Sequence, residues 1–170
     1  LADRLFGTEE LVDWIVSGDS SVGYVGLASL VSTAFPGKPV QVIAWHPYQQ
    51  AEDWPVDPTI ALFLTSGNRD VQFWRANILP GTSGPNPTLS WGESLGLQLN
   101  VYGRTRPEWS SLVDFVKNQV PVVAYRLWNA YRVPIGNKEA ESNIERHPRL
   151  DAFWGWVRYP LLIPRAATVT

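Results

Sequence analysis

The only imidazoles in the chain are His46 and His147, and with Asp53 and Asp151 they are the residues from which a metal site of two histidines and a carboxylate would be built. Each histidine precedes a proline in a stretch without periodicity, and no two ligand types share the spacing that sets them on one helix face. Solvated loop histidines are the expectation, with no metal and no other cofactor. Serines are frequent, yet none sits in a G-x-S-x-G strand-to-helix elbow that would expose a nucleophile. Gly81, Gly84 and Gly92 are scattered among prolines and do not make a phosphate cradle. Glu139 and Glu141 lie in the most polar run of the chain, where a solvated surface role outweighs general acid and base work. Catalytic residue types are present without catalytic spacing, and the expectation is that the protein is not an enzyme.

The composition narrows the class further. A chain of 170 residues, 45% apolar and 18% charged, has the size of one globular domain, spanning 1–170. It has no cysteine, which excludes disulfides, thiolate catalysis and sulfur-ligated zinc. The formal net charge is −2 and no block of Lys or Arg stands out, so no surface is expected to grip nucleic acid by sequence. The longest apolar stretches, "TIALFLT" and "YPLLIP", fall far short of the roughly 20 residues that span a bilayer, and no membrane partner is expected. Leu1 opens the sequence, and no targeting signal is legible after it.

The elements that would position any site follow from spacing. "GTEELVDWIVSG" predicts a short helix with acids near its start, Gly18 past its end, and Leu11, Trp14 and Ile15 on its apolar face. From Val22 to Phe35, Tyr24, Leu27, Ala28, Val31 and Phe35 recur at helical intervals, although Gly23 and Gly26 oppose that reading. This N-terminal helical segment covers about 1–35. "VQVIAW" (40–45) predicts a strand, and "TIALFLTS" and "VQFWRANIL" around "GNRD" predict a hairpin. Loops are expected over 46–58 and 80–87, where prolines remove ladder donors.

Leu95, Leu97, Leu99 and Val101 alternate with Gly96, Gln98, Asn100 and Tyr102, predicting a strand with one buried face and one wet or partner-facing face. Thr105 and Glu108 are spaced as a capping box with Pro107 in the first turn, and Trp109, Leu112, Val113, Val116 and Val120 form one stripe of a helix ending near 120. After Pro121, "VVAYRLWNAYRV" alternates as a strand that sets Arg126, Trp128 and Arg132 on one face. "GNKEAESNIERHP" predicts a polar, mobile loop over about 136–149. "AFWGWVRYPLLIP" predicts a final strand whose Pro160 suits an edge position or a bulge. The expected fold is α/β of the α+β kind: a mainly antiparallel sheet with one or two helices packed on one face.

Nine tryptophans are the compositional anomaly. Indoles bury large areas and are favoured in protein interfaces, as arginine is. Candidate interface residues on this ground are Arg126, Trp128, Arg132, Lys138, Glu139, Glu141, Arg146, Trp154, Trp156 and Arg158. The competing use of the same aromatics, with Trp45, Trp54, Trp74 and Trp91 in or beside strands and loops, is a carbohydrate-binding module that stacks sugar rings on exposed indoles.

The order of elements, with "DPTIALFLT", "LGLQLNVYGRTRPEWSSLVDFVKNQV" and "FWGWVRYPLLIP", resembles the tail terminator proteins of long-tailed bacteriophages, from about Val22 onward. The resemblance implies a structural virion protein at the head–tail junction, assembled in the host cytoplasm. Copies of the chain would form a hexameric ring that caps the tail tube, stops its polymerisation and meets the neck or connector proteins. DNA would pass through such a ring without being read.

Overall fold

A computed structural model describes residues 8–44, 58–66, 77–78, 84–131, 133–148 and 150–168. The fold is α+β: among the described residues, one large mixed, mainly antiparallel sheet has its helices on a single face, and the two short strands at Gly18–Asp19 and Tyr24–Val25 pair antiparallel as a separate ribbon. In chain order the elements are helix α1 (Thr8–Ser17), strands β1 (Gly18–Asp19) and β2 (Tyr24–Val25), helix α2 (Leu27–Ala34), and strands β3 (Gln41–Ala44), β4 (Thr59–Ser66), β5 (Asn77–Ile78) and β6 (Thr88–Gly103). Helix α3 (Arg106–Tyr131) and strands β7 (Ala140–Glu141), β8 (Glu145–Arg146) and β9 (Phe153–Thr168) complete the chain.

The sheet is organised by two sixteen-residue strands, β6 and β9, paired antiparallel from Thr88↔Thr168 to Gly103↔Phe153. The other edge of β6 holds β4 over Thr59↔Tyr102 to Ser66↔Leu95. Strand β3 then pairs parallel with β4, a connection that no tight hairpin can make. On its far side β9 carries β7, β8 and the single bridge Ile135↔Leu161.

Alternation along β6 and β9 divides the sheet into two faces. Leu97, Leu99 and Val101 from β6 join Val157, Tyr159, Leu161 and Ile163 from β9, and all are buried with the apolar stripes of the helices. Helix α1 packs on β3 and β4 through Leu11 and Ile15, α2 packs on α1 and β3, and α3 packs on β6 and β9. Half of the capping box forms: Glu108 N donates to Thr105 Oγ1 at 3.3 Å, while the Glu108 carboxylate reaches past the cap and accepts from Arg104 N at 2.7 Å.

Four sequence expectations are corrected. The helix read over Val22–Phe35 starts only at Leu27. Gly23 takes a left-handed φ of 68° to end a short 3-10 turn, and Gly26 crosses the end of α1 so closely that a Cβ would lie 2.4 Å from Val16 O. The hairpin expected over 59–79 does not turn back where it is described. Both β4 and β5 are antiparallel to β6 on the same edge, so β5 runs in the direction of β4, while "GNRD" and Val71–Ala76 lie outside the described residues.

The largest correction is at Pro121. Helix α3 does not stop there but continues for ten residues to Tyr131. The apparent alternation over 122–133 conceals Val120, Val123 and Leu127, which extend the Leu112–Val113–Val116 stripe at helical spacing and are buried against the sheet. Pro121 is exposed, on the side of the helix away from this stripe. Burial of the inner stripe outweighs the hydrogen bond that the proline cannot donate.

The polar run from Gly136 is the fourth correction, because it does not stand off as a separate loop. Gly136, Glu139 and Ser142 donate backbone N–H groups to Pro160, Arg158 and Trp156, laying the segment along the edge of β9. Pro160 itself fits the edge expectation: its position faces outward, where it accepts from Gly136 and needs no N–H of its own.

Three substitutions test this packing. Leu127→Ala should destabilise the chain by about 2–5 kcal/mol, as Leu112→Ala should, if both halves of α3 pack on the sheet. Gly155→Ala should cost about 1–3 kcal/mol, because its Cβ would come within 2.6 Å of the Trp109 indole. Urea unfolding monitored by circular dichroism measures all three.

Candidate functional site: two opposed interaction surfaces

The sheet face turned away from the helices is neither plainly wet nor plainly apolar. Its side chains fall into rows across β4, β6 and β9: Thr59–Tyr102–Trp154, Ala61–Asn100–Trp156 and Phe63–Gln98–Arg158. Gln98, Asn100 and Tyr102 are buried at 8%, 4% and 5% exposure, so their polar groups need protein partners. They supply them to one another. Arg158 Nη2 and Nε donate to Gln98 Oε1 at 2.8 and 3.3 Å, Gln98 Nε2 donates to Asn100 Oδ1 at 2.9 Å, and Asn100 Nδ2 donates to Tyr102 Oη at 3.4 Å. The chain runs in one direction, from a fixed positive charge toward a phenol.

Aromatic rings border this polar row. The guanidinium of Arg158 lies over the Trp156 ring, 5.1 Å from its centroid, and Trp154 stacks beside Tyr102 with centroids 6.2 Å apart and planes 12° from parallel. His147 meets Tyr102 and Trp154 edge to face at 6.0 and 5.6 Å. Its Nδ1 accepts the Leu150 N–H at 3.0 Å. Gly96 makes the crowding possible at the end of the row: a Cβ there would lie 2.4 Å from Thr65 Oγ1 and 3.2 Å from Arg158 Cδ. Trp154, Trp156 and Arg158 remain half-buried, so the border of the face meets solvent while its centre does not.

The second surface lies on the opposite side of the domain. The large hydrophobic side chains that are exposed among the described residues are Val25, Val122, Tyr125 and Trp128. The last three belong to the C-terminal half of α3, on the side opposite Val116, Val120, Val123 and Leu127. The N-terminal half of the helix is ordinary, with Ser110, Ser111, Asp114 and Asn118 outward. Beyond Pro121 the outward side carries Val122, Tyr125 and Trp128 beside the exposed Asn129, and Tyr125 is 70% exposed.

The candidate interface residues therefore do not form one patch. Trp154, Trp156 and Arg158 meet on the outer sheet face. Lys138, Glu139, Glu141 and Arg146 follow the edge of β9, where Glu141 pairs with Lys117 at 2.5 Å and Lys138 at 2.9 Å, and Arg146 pairs with Asp151 at 2.5 Å beside the Phe153 ring. The hydrogen bonds from Lys117 and Lys138 hold the Glu141 carboxyl below its usual range. Arg126 and Trp128 do not share a strand face, since two residues of helix separate them by about 200°. Trp128 is exposed, while Arg126 turns its Nη1 inward. Arg132 lies outside the described residues.

Gln98, Asn100, Val122 and Tyr125 were missed as site residues. The alternation of β6 marked the first two as one face, but Arg158, which donates to Gln98, lies 60 residues away. The other two were concealed by the strand reading. Among the described residues no group of three or more His, Cys, Asp or Glu gathers to hold a metal. His46 and Asp53 lie outside them, and Asp151 is bound to Arg146. A cleft of about 340 Å³ between α3 and the α2–β3 connection is lined by Phe35, Lys38, Thr105 and Glu108, whose carboxylate already accepts from Arg104 N near the helix start. No described helix is long and apolar enough to cross a membrane. No family model and no curated protein matches this chain.

Burial pushes the Tyr102 hydroxyl up to about 12, against a smaller opposite effect from Asn100. Below pH 10 the phenol is neutral in both folded and unfolded chains, and its contribution is intact. Between pH 10 and 12 only the unfolded chain releases the proton, so stability falls by about 1.4 kcal/mol per pH unit from this group. Tyr24, also raised to about 12, adds to the same window. Tyr102→Phe should therefore flatten the loss of stability measured between pH 10 and 12 and leave the region below pH 9 unchanged in slope.

Proposed function

We propose that this protein is a structural subunit that assembles head to tail into a closed ring, and that the ring caps the tail tube of a long-tailed bacteriophage at the junction with its neck. The observation that carries the self-assembling part is the pair of unlike surfaces set back to back. One is the apolar outer side of α3 around Val122, Tyr125 and Trp128, and the other is the arginine and indole border of the sheet at Trp154, Trp156 and Arg158. A single self-complementary patch closes a dimer; two different patches on opposite sides generate rings when the rotation closes. Tryptophan, tyrosine and arginine are the residue types that anchor interfaces, and a net charge of −2 offers little self-repulsion. The tube-capping role rests on the resemblance in element order and on a site built from stacking and hydrogen bonding. Its partners would be copies of the chain, the tube protein and the neck or connector proteins.

One observation favours a second reading. Trp154 and Trp156 stand two residues apart on one sheet face beside an arginine and two amides, residue types that also bind sugars by stacking and by hydrogen bonds to hydroxyls. A carbohydrate-binding module would use that face alone and would have no need of the outer side of α3.

Tyr125→Glu and Trp156→Ala separate these readings. In the ring, both substitutions should shift the sedimenting species toward monomer, each weakening a subunit contact by about 2 kcal/mol or more. The parent protein should halt tube growth at low stoichiometry when mixed with tube protein. A chain that stays monomeric at high concentration, ignores tubes and loses polysaccharide binding only in Trp156→Ala would be a sugar binder instead.

A further inference from the structure

Among the described residues Tyr24 Oη, Trp109 Nε1, Arg126 Nη1 and Trp154 Nε1 are buried and make no hydrogen bond, and the first and third of these lie on elements that pack together. Tyr24 is 5% exposed and sits in β2, which packs against α3, the helix that carries Arg126. The other arginines of known surroundings are placed differently. Arg158 is bonded to Gln98, Arg146 to Asp151, and Arg104 and Arg106 are exposed.

The chemistry of the two groups defines what they lack. A guanidinium stays charged at any physiological pH and only donates, so its buried end requires an acceptor, and a negatively charged one most of all. A phenol hydroxyl donates as well. Burial raises the Tyr24 pKa to about 12 despite the opposing charge of Arg126, so the hydroxyl keeps its proton and is not itself the counter-charge. Two donors within electrostatic reach of each other, neither satisfied by the protein, are suited to one shared oxygen acceptor.

We propose that Tyr24 Oη and Arg126 Nη1 form a binding site for a small oxyanion, a carboxylate or a phosphate, at the junction of β2 and α3. Arg126 Nη1 would donate to such an anion with its full charge, and the Tyr24 hydroxyl would add a second donor. Arg126 as a whole is half-buried, while its Nη1 is buried. The site would tie the short β1–β2 hairpin to the helix whose outer side is apolar. It is independent of what that outer side binds.

The test is thermal unfolding of the full chain with chloride replaced by phosphate or by acetate at constant ionic strength and pH. The site predicts a saturable rise in Tm with at least one of the two, and the one that acts identifies the oxyanion. Tyr24→Phe should weaken the apparent affinity about tenfold, the scale of one hydrogen bond to a charged group. Arg126→Met should abolish the saturable rise, and Arg126→Lys, which keeps the charge without the fork, should fall between. Should Arg126→Met fail to fold, Tyr24→Phe still decides, because phenylalanine preserves the packing. A parent chain whose Tm ignores both anions overturns the proposal, and so does a rise that persists undiminished in Tyr24→Phe.

Discussion

The sixteen-residue pairing of β6 with β9 brings together segments some fifty to eighty positions apart in sequence and fixes which side chain stands beside which. With a period of two, a slip of one residue would send Leu97, Leu99 and Val101 to the outer face and Gln98, Asn100 and Tyr102 under α3. Both buried sets would then be wrong at once: three amide or hydroxyl groups among aliphatic helix residues, and three aliphatic side chains beside Arg158. The register is thus specified twice, by apolar burial on one face and by a polar chain on the other. The helix stripe, the Trp109 indole over Gly155 and the row from Arg158 to Tyr102 all presuppose it.

Helix α3 shows how tertiary burial overrides a local signal. A proline in a helix interior costs about 3 kcal/mol in an isolated helix, enough to end most of them. Here Val120, Val123 and Leu127 each bury fully against the sheet, a gain of about 1.5–3 kcal/mol per side chain. The sum exceeds the cost, and the helix passes through. The exposed position of Pro121 also marks where large apolar residues join the outward side, so one residue divides α3 into a conventional amphipathic half and a half that carries Val122, Tyr125 and Trp128 outward.

Local patterns carried much of the architecture. The strand at 95–103, the capping box at Thr105 and Glu108, the Leu112–Val113–Val116 stripe and the first helix could each be read from residues within a few positions of one another. What could not be read depended on distant partners. Alternation in "VVAYRLWNAYRV" is ambiguous until the core is in place to receive Val123 and Leu127. The polar run after Gly136 looks unstructured because its hydrogen-bond partners, Trp156, Arg158 and Pro160, come later in the chain. The row on the outer sheet face was half visible, as the polar side of β6, and half invisible, since nothing local connects Gln98 to Arg158.

Laying residues 135–146 along β9 bears on how copies of this protein would meet. A long, straight, hydrophobic edge strand is a template on which another chain can polymerise without limit, as in cross-β fibrils. From Phe153 to Leu162 the backbone of β9 is instead occupied by two-residue strands and single hydrogen bonds, with a proline at the point where an N–H would otherwise point outward. Among the described residues the opposite edge ends in the short strand β3, Gln41–Ala44. Edge-to-edge growth is thereby blunted along this stretch of β9, and any association of copies would fall to the faces, where side chains would determine the geometry of the contact and could bring it to a close.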